Sequence, residues 1–163
     1  MLATRRRVSG AEPGIDKVYP MTELSEMLAE CDFVCMATPW TKETDKLLKY
    51  EHFAAMKPTA VFINVGRGKC VDEAGLFQAL REGLIAGVSL DVTESEPVKD
   101  NWEGWADDPA LEGKVLMSCH SCDHTADMSV QSAKNMAKQM ARFTRGVPLT
   151  QVAQGDAVTL HFH

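Results

Sequence analysis

No apolar run in this 163-residue chain approaches the ~20 residues that a helix needs to span a bilayer. The opening residues also lack the apolar segment of a secretory signal, so neither membrane insertion nor export is expected. Basic residues are in the minority: 17 Lys and Arg face 23 Asp and Glu, for a net charge of −6. Nucleic acids and anionic membranes both call for a basic surface, yet the single basic cluster is Arg5-Arg6-Arg7. Neither partner is expected. Internal repeats and low-complexity tracts are missing too. The five cysteines are odd in number and lie mostly within apolar runs, the setting of packed thiols rather than of a disulfide framework. A cytoplasmic location, or another reducing compartment such as an organellar matrix, is the expectation.

What is present is an ordinary globular composition, 45% hydrophobic and 25% charged, in a length suited to one domain with a core. The chain opens on a truncated strand, Met1 to Thr4, and a loop from Gly10 to Pro20. Thr22 is placed to cap a short helix with Leu24, Met27 and Leu28 inside. Asp32 to Ala37 carries apolar residues in a row, as a strand buried on both faces does. A helical patch ending at Met56 precedes Lys57-Pro58, and Ala60 to Val65 is the next buried strand. Asp72 suits the N-cap of a helix with Leu76, Leu80 and Leu84 one turn apart, closing near Gly83. Ala86 to Val92 and Lys114 to Cys119 read as strands, with a long surface connection from Glu94 to Gly113 between them. Asp127 to Arg145 is the longest helical pattern, stopped by Gly146 and Pro148. Strands alternating with helices at this spacing indicate an α/β, doubly wound, mostly parallel sheet.

Three polar residues follow directly on these apolar runs: Arg67, Glu96 and His120. Parallel sheets keep their chemistry at the carboxyl ends of their strands, so the three converge in one crevice. An arginine, a carboxylate and a histidine together suit anion binding and proton transfer. Taken singly, each has a bland alternative: a solvated charge, a surface carboxylate, a structural histidine.

Four segments carry a more specific signal: Thr38-Pro39-Trp40-Thr41-Lys42-Glu43-Thr44, Asn64-Val65-Gly66-Arg67-Gly68 with Val71-Asp72 behind it, Leu90-Asp91-Val92 to Glu96-Pro97, and the last strand ending in His120. In this order and spacing the chain resembles the cofactor-binding domain of the D-isomer-specific 2-hydroxyacid dehydrogenases. The resemblance implies a Rossmann-like fold and hydride transfer between NAD(P) and a small 2-hydroxy or 2-oxo acid. It implies that Arg67 grips the substrate carboxylate through parallel hydrogen bonds, that His120 moves the proton, and that Glu96 holds the histidine ring. Cofactor contacts fall on Thr38, Pro39, Val65, Gly66, Arg67, Asp91, His120 and Ser121. For Asp91, a strand-end carboxylate accepting local hydrogen bonds is an equal alternative.

The second strand of such a fold ordinarily ends in an acidic residue on the adenosine ribose, whereas an arginine there accommodates a 2′-phosphate. Arg5 and then Arg6 stand at that position, which tilts the expectation from NAD toward NADP; the alternative is a solubilising basic turn. Cys119-His120-Ser121-Cys122-Asp123-His124 has the composition of a zinc site but no second ligand pair elsewhere, so no metal is expected. The stretch departs from the family, where proline precedes the histidine and small residues follow it.

The glycine-rich Gly-x-Gly-x-x-Gly turn of the family does not occur in the sequence, nor does the strand before it, so residues 1–149 are expected to form an incomplete dinucleotide-binding domain with 150–163 as a tail. Two functions follow: an oxidoreductase, or a non-catalytic truncated relative that binds. A homodimer, or pairing with a full-length relative, is the expected assembly.

Overall fold

Burial alternates with period two along residues 33–36 and 61–64, as it does in a sheet covered on one side. In the computed structural model, which describes residues 1–4, 14–98, 108–122 and 124–148, the strands are β1 (Leu2–Thr4), β2 (Lys17–Tyr19), β3 (Phe33–Met36), β4 (Val61–Asn64), β5 (Gly87–Leu90) and β6 (Val115–Met117). The helices are α1 (Leu24–Glu30), α2 (Tyr50–Ala54), α3 (Glu73–Arg81) and α4 (Met128–Thr144). All pairings are parallel: β1 with β2, and separately β3-β4-β5-β6 in that order. The chain divides into two units, 1–122 and 123–163.

In the first unit, Val34, Met36, Phe62, Val88 and Leu90 share one face of the four-stranded sheet and are buried. They meet Phe53 of α2 and Leu76, Phe77 and Leu80 of α3 in one apolar cluster. Phe53 and Phe62 meet edge to face, their ring centroids 5.3 Å apart, the arrangement that aromatic quadrupoles favour. On the opposite face Phe33 is 71% exposed and Leu116 is 69% exposed. The expectation of a strand buried on both faces at 32–37 is corrected here, because the alternate residues Phe33 and Cys35 face outward.

Three local expectations also change. The loop read from Gly10 to Pro20 contains β2, whose Tyr19 is fully buried. Thr22 lies within a 3-10 turn, Met21–Glu23, and no side chain caps α1. Asp72 does occupy the N-cap of α3 but makes no capping bond; its carboxylate lies 3.6 Å from the Lys46 ammonium instead. The connection between β5 and β6 includes a 3-10 turn, Pro109–Leu111, packed on α3 through buried Leu111.

In the second unit, α4 runs 17 residues and Gly146 (φ 66°) terminates it, a left-handed stop that glycine adopts without strain. Its apolar residues Val130, Met136, Met140 and Phe143 are exposed. Among the described residues no helix is long and apolar enough to cross a membrane.

Candidate active site at the carboxyl ends of the strands

Parallel register sets the strand ends level. Met36 pairs with Asn64, Asn64 with Leu90, and Leu90 with Met117. The ladder continues one step further, with Val65 N donating to Met36 O, Asp91 N to Asn64 O and Ser118 N to Leu90 O, each at 3.0 Å. The loops carrying Thr38, Arg67, Glu96 and His120 therefore leave the sheet side by side.

The loop after β4 is held by Asn64, a polar side chain that is 1% exposed at the end of an apolar strand. Its Oδ1 accepts the Gly66 N–H at 3.0 Å, and its Nδ2 donates to Arg67 O at 3.4 Å. Gly66 passes so near β3's exit that a β-carbon would stand 2.7 Å from Thr38 O. Arg67 itself is exposed. Its Nη1 donates to Gly66 O at 2.7 Å, which leaves the remaining guanidinium N–H groups for an anion.

The loop after β6 is held by Asp91, which is 4% exposed. Its Oδ1 accepts from Ser118 Oγ and from Ser121 N (2.9 Å), and its Oδ2 accepts from Cys122 N (3.0 Å). The Ser118 hydroxyl first of all, together with these amides, holds the Asp91 carboxyl well below the usual carboxylate range despite burial. Between those anchors His120 takes φ 54°, a left-handed conformation uncommon outside glycine, and its own N–H donates to Asp91 O at 2.9 Å. A strained residue fixed on both sides has a defined direction.

That direction is toward Glu96. His120 Nδ1 lies 2.7 Å from Glu96 Oε2, while Glu96 Oε1 accepts the Thr93 N–H at 3.0 Å. Partial burial opposes ionisation of Glu96, but the Thr93 amide, the His120 ring and the charge of Arg67 outweigh it and hold the carboxyl low. His120 and Glu96 thus meet across two loops, and the charge of Arg67 on a third lowers the Glu96 carboxyl.

Of the other candidate positions, Thr38 is half-buried with its carbonyl facing Cys70 Sγ at 3.7 Å. Pro39 is exposed and its carbonyl accepts from Thr44 Oγ1 at 2.7 Å. Val65 is half-buried, with its carbonyl 4.0 Å from Cys122 Sγ. Ser121 is half-buried and bonded to Asp91 as above. Arg5 and Arg6 lie outside the described residues. Among the described residues no group of three or more His, Cys, Asp or Glu is placed to hold a metal ion.

Sequence reasoning alone passed over Asn64, Gly68, Thr93 and Ser118. A β-carbon on Gly68 would stand 1.9 Å from the Thr93 carbonyl, so the loops after β4 and β5 are in direct contact there. Asn64 had a readable signal, a buried-strand end turning into a Gly-x-Gly segment; the partners of Thr93 and Ser118 did not.

A family model described as the D-isomer specific 2-hydroxyacid dehydrogenase NAD binding domain matches residues 1–121. The glyoxylate reductase of Pyrococcus furiosus is 39% identical over 150 residues, covering 91% of this chain and 42% of the relative. The glyoxylate/hydroxypyruvate reductase B of Shigella boydii is 47% identical over 94 residues, 58% of this chain and 28% of the relative. Among solved structures, an NADPH-dependent glyoxylate/hydroxypyruvate reductase from Sinorhizobium meliloti, in complex with NADP and sulfate, superposes with a TM-score of 0.77 at 27% identity, covering 94% of this chain and 47% of that one. A D-isomer specific 2-hydroxyacid dehydrogenase from Xanthobacter autotrophicus, in complex with NADPH and MES, gives 0.74 at 31% identity, with 91% and 58% covered. The chain spans about two fifths of the length of the first two curated relatives it resembles. On the match over 1–121 and the parallel α/β sheet, the chain belongs to the D-isomer specific 2-hydroxyacid dehydrogenase family and carries its NAD binding domain.

Proposed function

We propose that this chain serves an oxidoreductase that exchanges a hydride between NAD(P) and a small 2-hydroxy or 2-oxo acid, with glyoxylate and hydroxypyruvate as the first substrates to try. The observation that carries the reading is the contact of His120 Nδ1 with Glu96 Oε2 at 2.7 Å, within the electrostatic reach of Arg67 at the carboxyl ends of a parallel sheet. Ligands of α/β sheets bind at that edge. The printed names of the relatives support the substrate class.

NAD(P), when bound, supplies or accepts the hydride. The chain's own residues do the rest. Arg67 presents a planar set of donors that suits a carboxylate, so it binds and orients the acid. With Nδ1 committed to Glu96, the proton given to a carbonyl oxygen or taken from a hydroxyl passes through Nε2 of His120. Glu96 fixes the plane of the ring through its contact with Nδ1. Asp91, bonded to the Ser118 hydroxyl, the Ser121 and Cys122 amides and the Cys122 thiol, holds the loop that would border the nicotinamide side. Thr38, Pro39, Val65, Gly66 and Ser121 would hold the cofactor.

NADP is preferred to NAD on the strength of Arg5-Arg6-Arg7 and of structural neighbours holding NADP or NADPH. The five cysteines are thiols, in keeping with a cytoplasmic or organellar reducing compartment. A homodimer, or pairing with a full-length relative, completes the reading. The second reading, a non-catalytic binding relative, rests on the share of the relatives' length that the chain spans.

The test is a fluorescence titration of the chain with NADPH and NADH, followed by cofactor oxidation assays with glyoxylate and hydroxypyruvate. Turnover that falls at least ~100-fold in Arg67→Ala and His120→Ala supports the assigned roles. Wild-type turnover in both variants overturns them, and a folded chain that takes up neither cofactor favours the second reading.

A further inference from the structure

The turn that carries Glu96 is held from behind by a residue of another element. Glu73, the first residue of α3, is half-buried, and its Oε1 accepts the N–H of Glu94 at 2.5 Å, across 21 positions of sequence. A carboxylate in the first turn of a helix is favoured there by the helix dipole in any case. Here, however, its oxygen serves the amide of a distant turn. The neighbouring peptide on that turn, Thr93 N–H, is the donor that holds Glu96 Oε1 at 3.0 Å, and Glu96 Oε2 in turn faces His120.

The same turn has three further constraints, the first being its own Thr93 Oγ1, which donates to Ser95 O at 2.9 Å. Lys46 Nζ lies 3.5 Å from the Glu94 carboxylate and 3.6 Å from that of Asp72, the residue before Glu73. Gly68 lies directly beneath the Thr93–Glu94 peptide, too close for any side chain. Gly68 keeps the turn from moving inward and Lys46 acts on the Glu94 side chain, but neither bonds to the backbone of the turn. Glu73 does. A two-peptide relay results, in which the Glu73 carboxylate fixes Glu94 N–H and the next N–H back fixes Glu96.

We propose that Glu73 is a positioning residue of the reaction centre, holding the 93–96 turn so that the Glu96 carboxylate meets the His120 ring. The inference rests on the reading of Glu96 and His120 given above. It is separable from that reading, because the ring nitrogens report the contact without turnover: an imidazole bonded through Nδ1–H to a carboxylate is held in that tautomer, whereas a released one is not.

The experiment is nitrogen NMR of the full 163-residue chain at a pH where the ring is neutral, together with amide hydrogen exchange. Wild type, Glu73→Gln, Glu73→Asp and Glu73→Ala are compared, with Glu96→Ala as the reference for complete loss. Glu73→Gln retains an acceptor oxygen at the same reach, so it keeps the wild-type His120 tautomer. Glu73→Asp keeps the charge at the helix start but falls one methylene short, so it tests the contact even if Glu73→Ala fails to fold. The expected result is Glu94 amide exchange faster by about tenfold or more in Glu73→Asp and Glu73→Ala, with the His120 nitrogen shifts moved toward those of Glu96→Ala. Folded Glu73→Asp with wild-type exchange and a wild-type tautomer overturns the proposal. If Glu96→Ala itself leaves the His120 nitrogens unchanged, the Glu96–His120 pairing is what has failed.

Discussion

Gly68 and Thr93 meet so closely that a β-carbon on the glycine would stand 1.9 Å from both the carbonyl carbon and the carbonyl oxygen of the threonine. Both atoms are backbone, so neither can swing aside as a side-chain tip does. The contact joins the loop that carries Arg67 to the turn that carries Glu96. Gly68→Ala is therefore expected to push the two apart, at a cost of about 1–3 kcal/mol or more from overpacking. Urea unfolding checks the stability, and loss of the Nδ1–H tautomer of His120 checks the separation. A variant unchanged in both would show that the contact is not needed.

Asn64 sets the other side of the same loop. It is 1% exposed, and its side chain takes the Gly66 N–H and gives a bond to Arg67 O. Asn64→Leu fills the space but leaves Gly66 N–H, itself buried, without an acceptor. The expected cost is about 1–3 kcal/mol for an unsatisfied buried group, read as a lower urea midpoint. Because Asn64 holds both Gly66 and Arg67, weaker binding of a 2-oxo acid and of NADPH should accompany it. A calorimetric titration with each ligand measures both.

The strands β3 to β6 were legible because each is a run of apolar residues ended by a polar one, and the candidate site lies beyond those polar ends. Legibility failed where a partner is distant or an element is very short. β2 is three residues, Lys17–Tyr19, set among Gly and Pro, and only pairing with β1 and the burial of Tyr19 make it a strand. The side chain of Asp72 matched a cap by type, but an ion pair with Lys46 took it. Apolar content alone predicts burial on both faces for 32–37, but it counts residues and not the helices available to cover them. The cofactor-side reading of Asp91 competes with a local hydrogen-bonding role, and four bonds from the 118–122 loop, the Cys122 thiol included, account for its acceptor capacity. The bond from Glu94 N to Glu73 had no signal at all, since nothing in composition or period ties positions 21 apart.

Asp91 makes the pH dependence of stability a reading of the site's integrity. Its carboxyl is held low, by the Ser118 hydroxyl above all, so the folded state prefers the charged form more than the unfolded chain does. The resulting stability is fully present above the ordinary aspartate value of ~3.9 and is lost as the pH falls from there through the depressed folded value. Glu73 works with the opposite sign. Burial first, then the charges of Glu94 and Glu96, push its carboxyl up against the pull of the Glu94 amide and Lys46, so ionising it disfavours the fold as the pH rises through the ordinary glutamate range near ~4.3. Asp91→Asn keeps Oδ1 for Ser118 and Ser121 but turns an N–H₂ toward the Cys122 amide, two donors facing one another. A loss of about 1–3 kcal/mol at neutral pH is expected, shrinking as the pH is lowered below the aspartate range, where wild-type Asp91 gives up its own advantage. Glu73→Gln should instead gain on wild type as the pH rises from that range toward neutrality. Urea unfolding of the three proteins between pH ~3 and ~7 measures both trends. A constant gap between Asp91→Asn and wild type across that window would mean that the Asp91 charge does not hold the His120 loop.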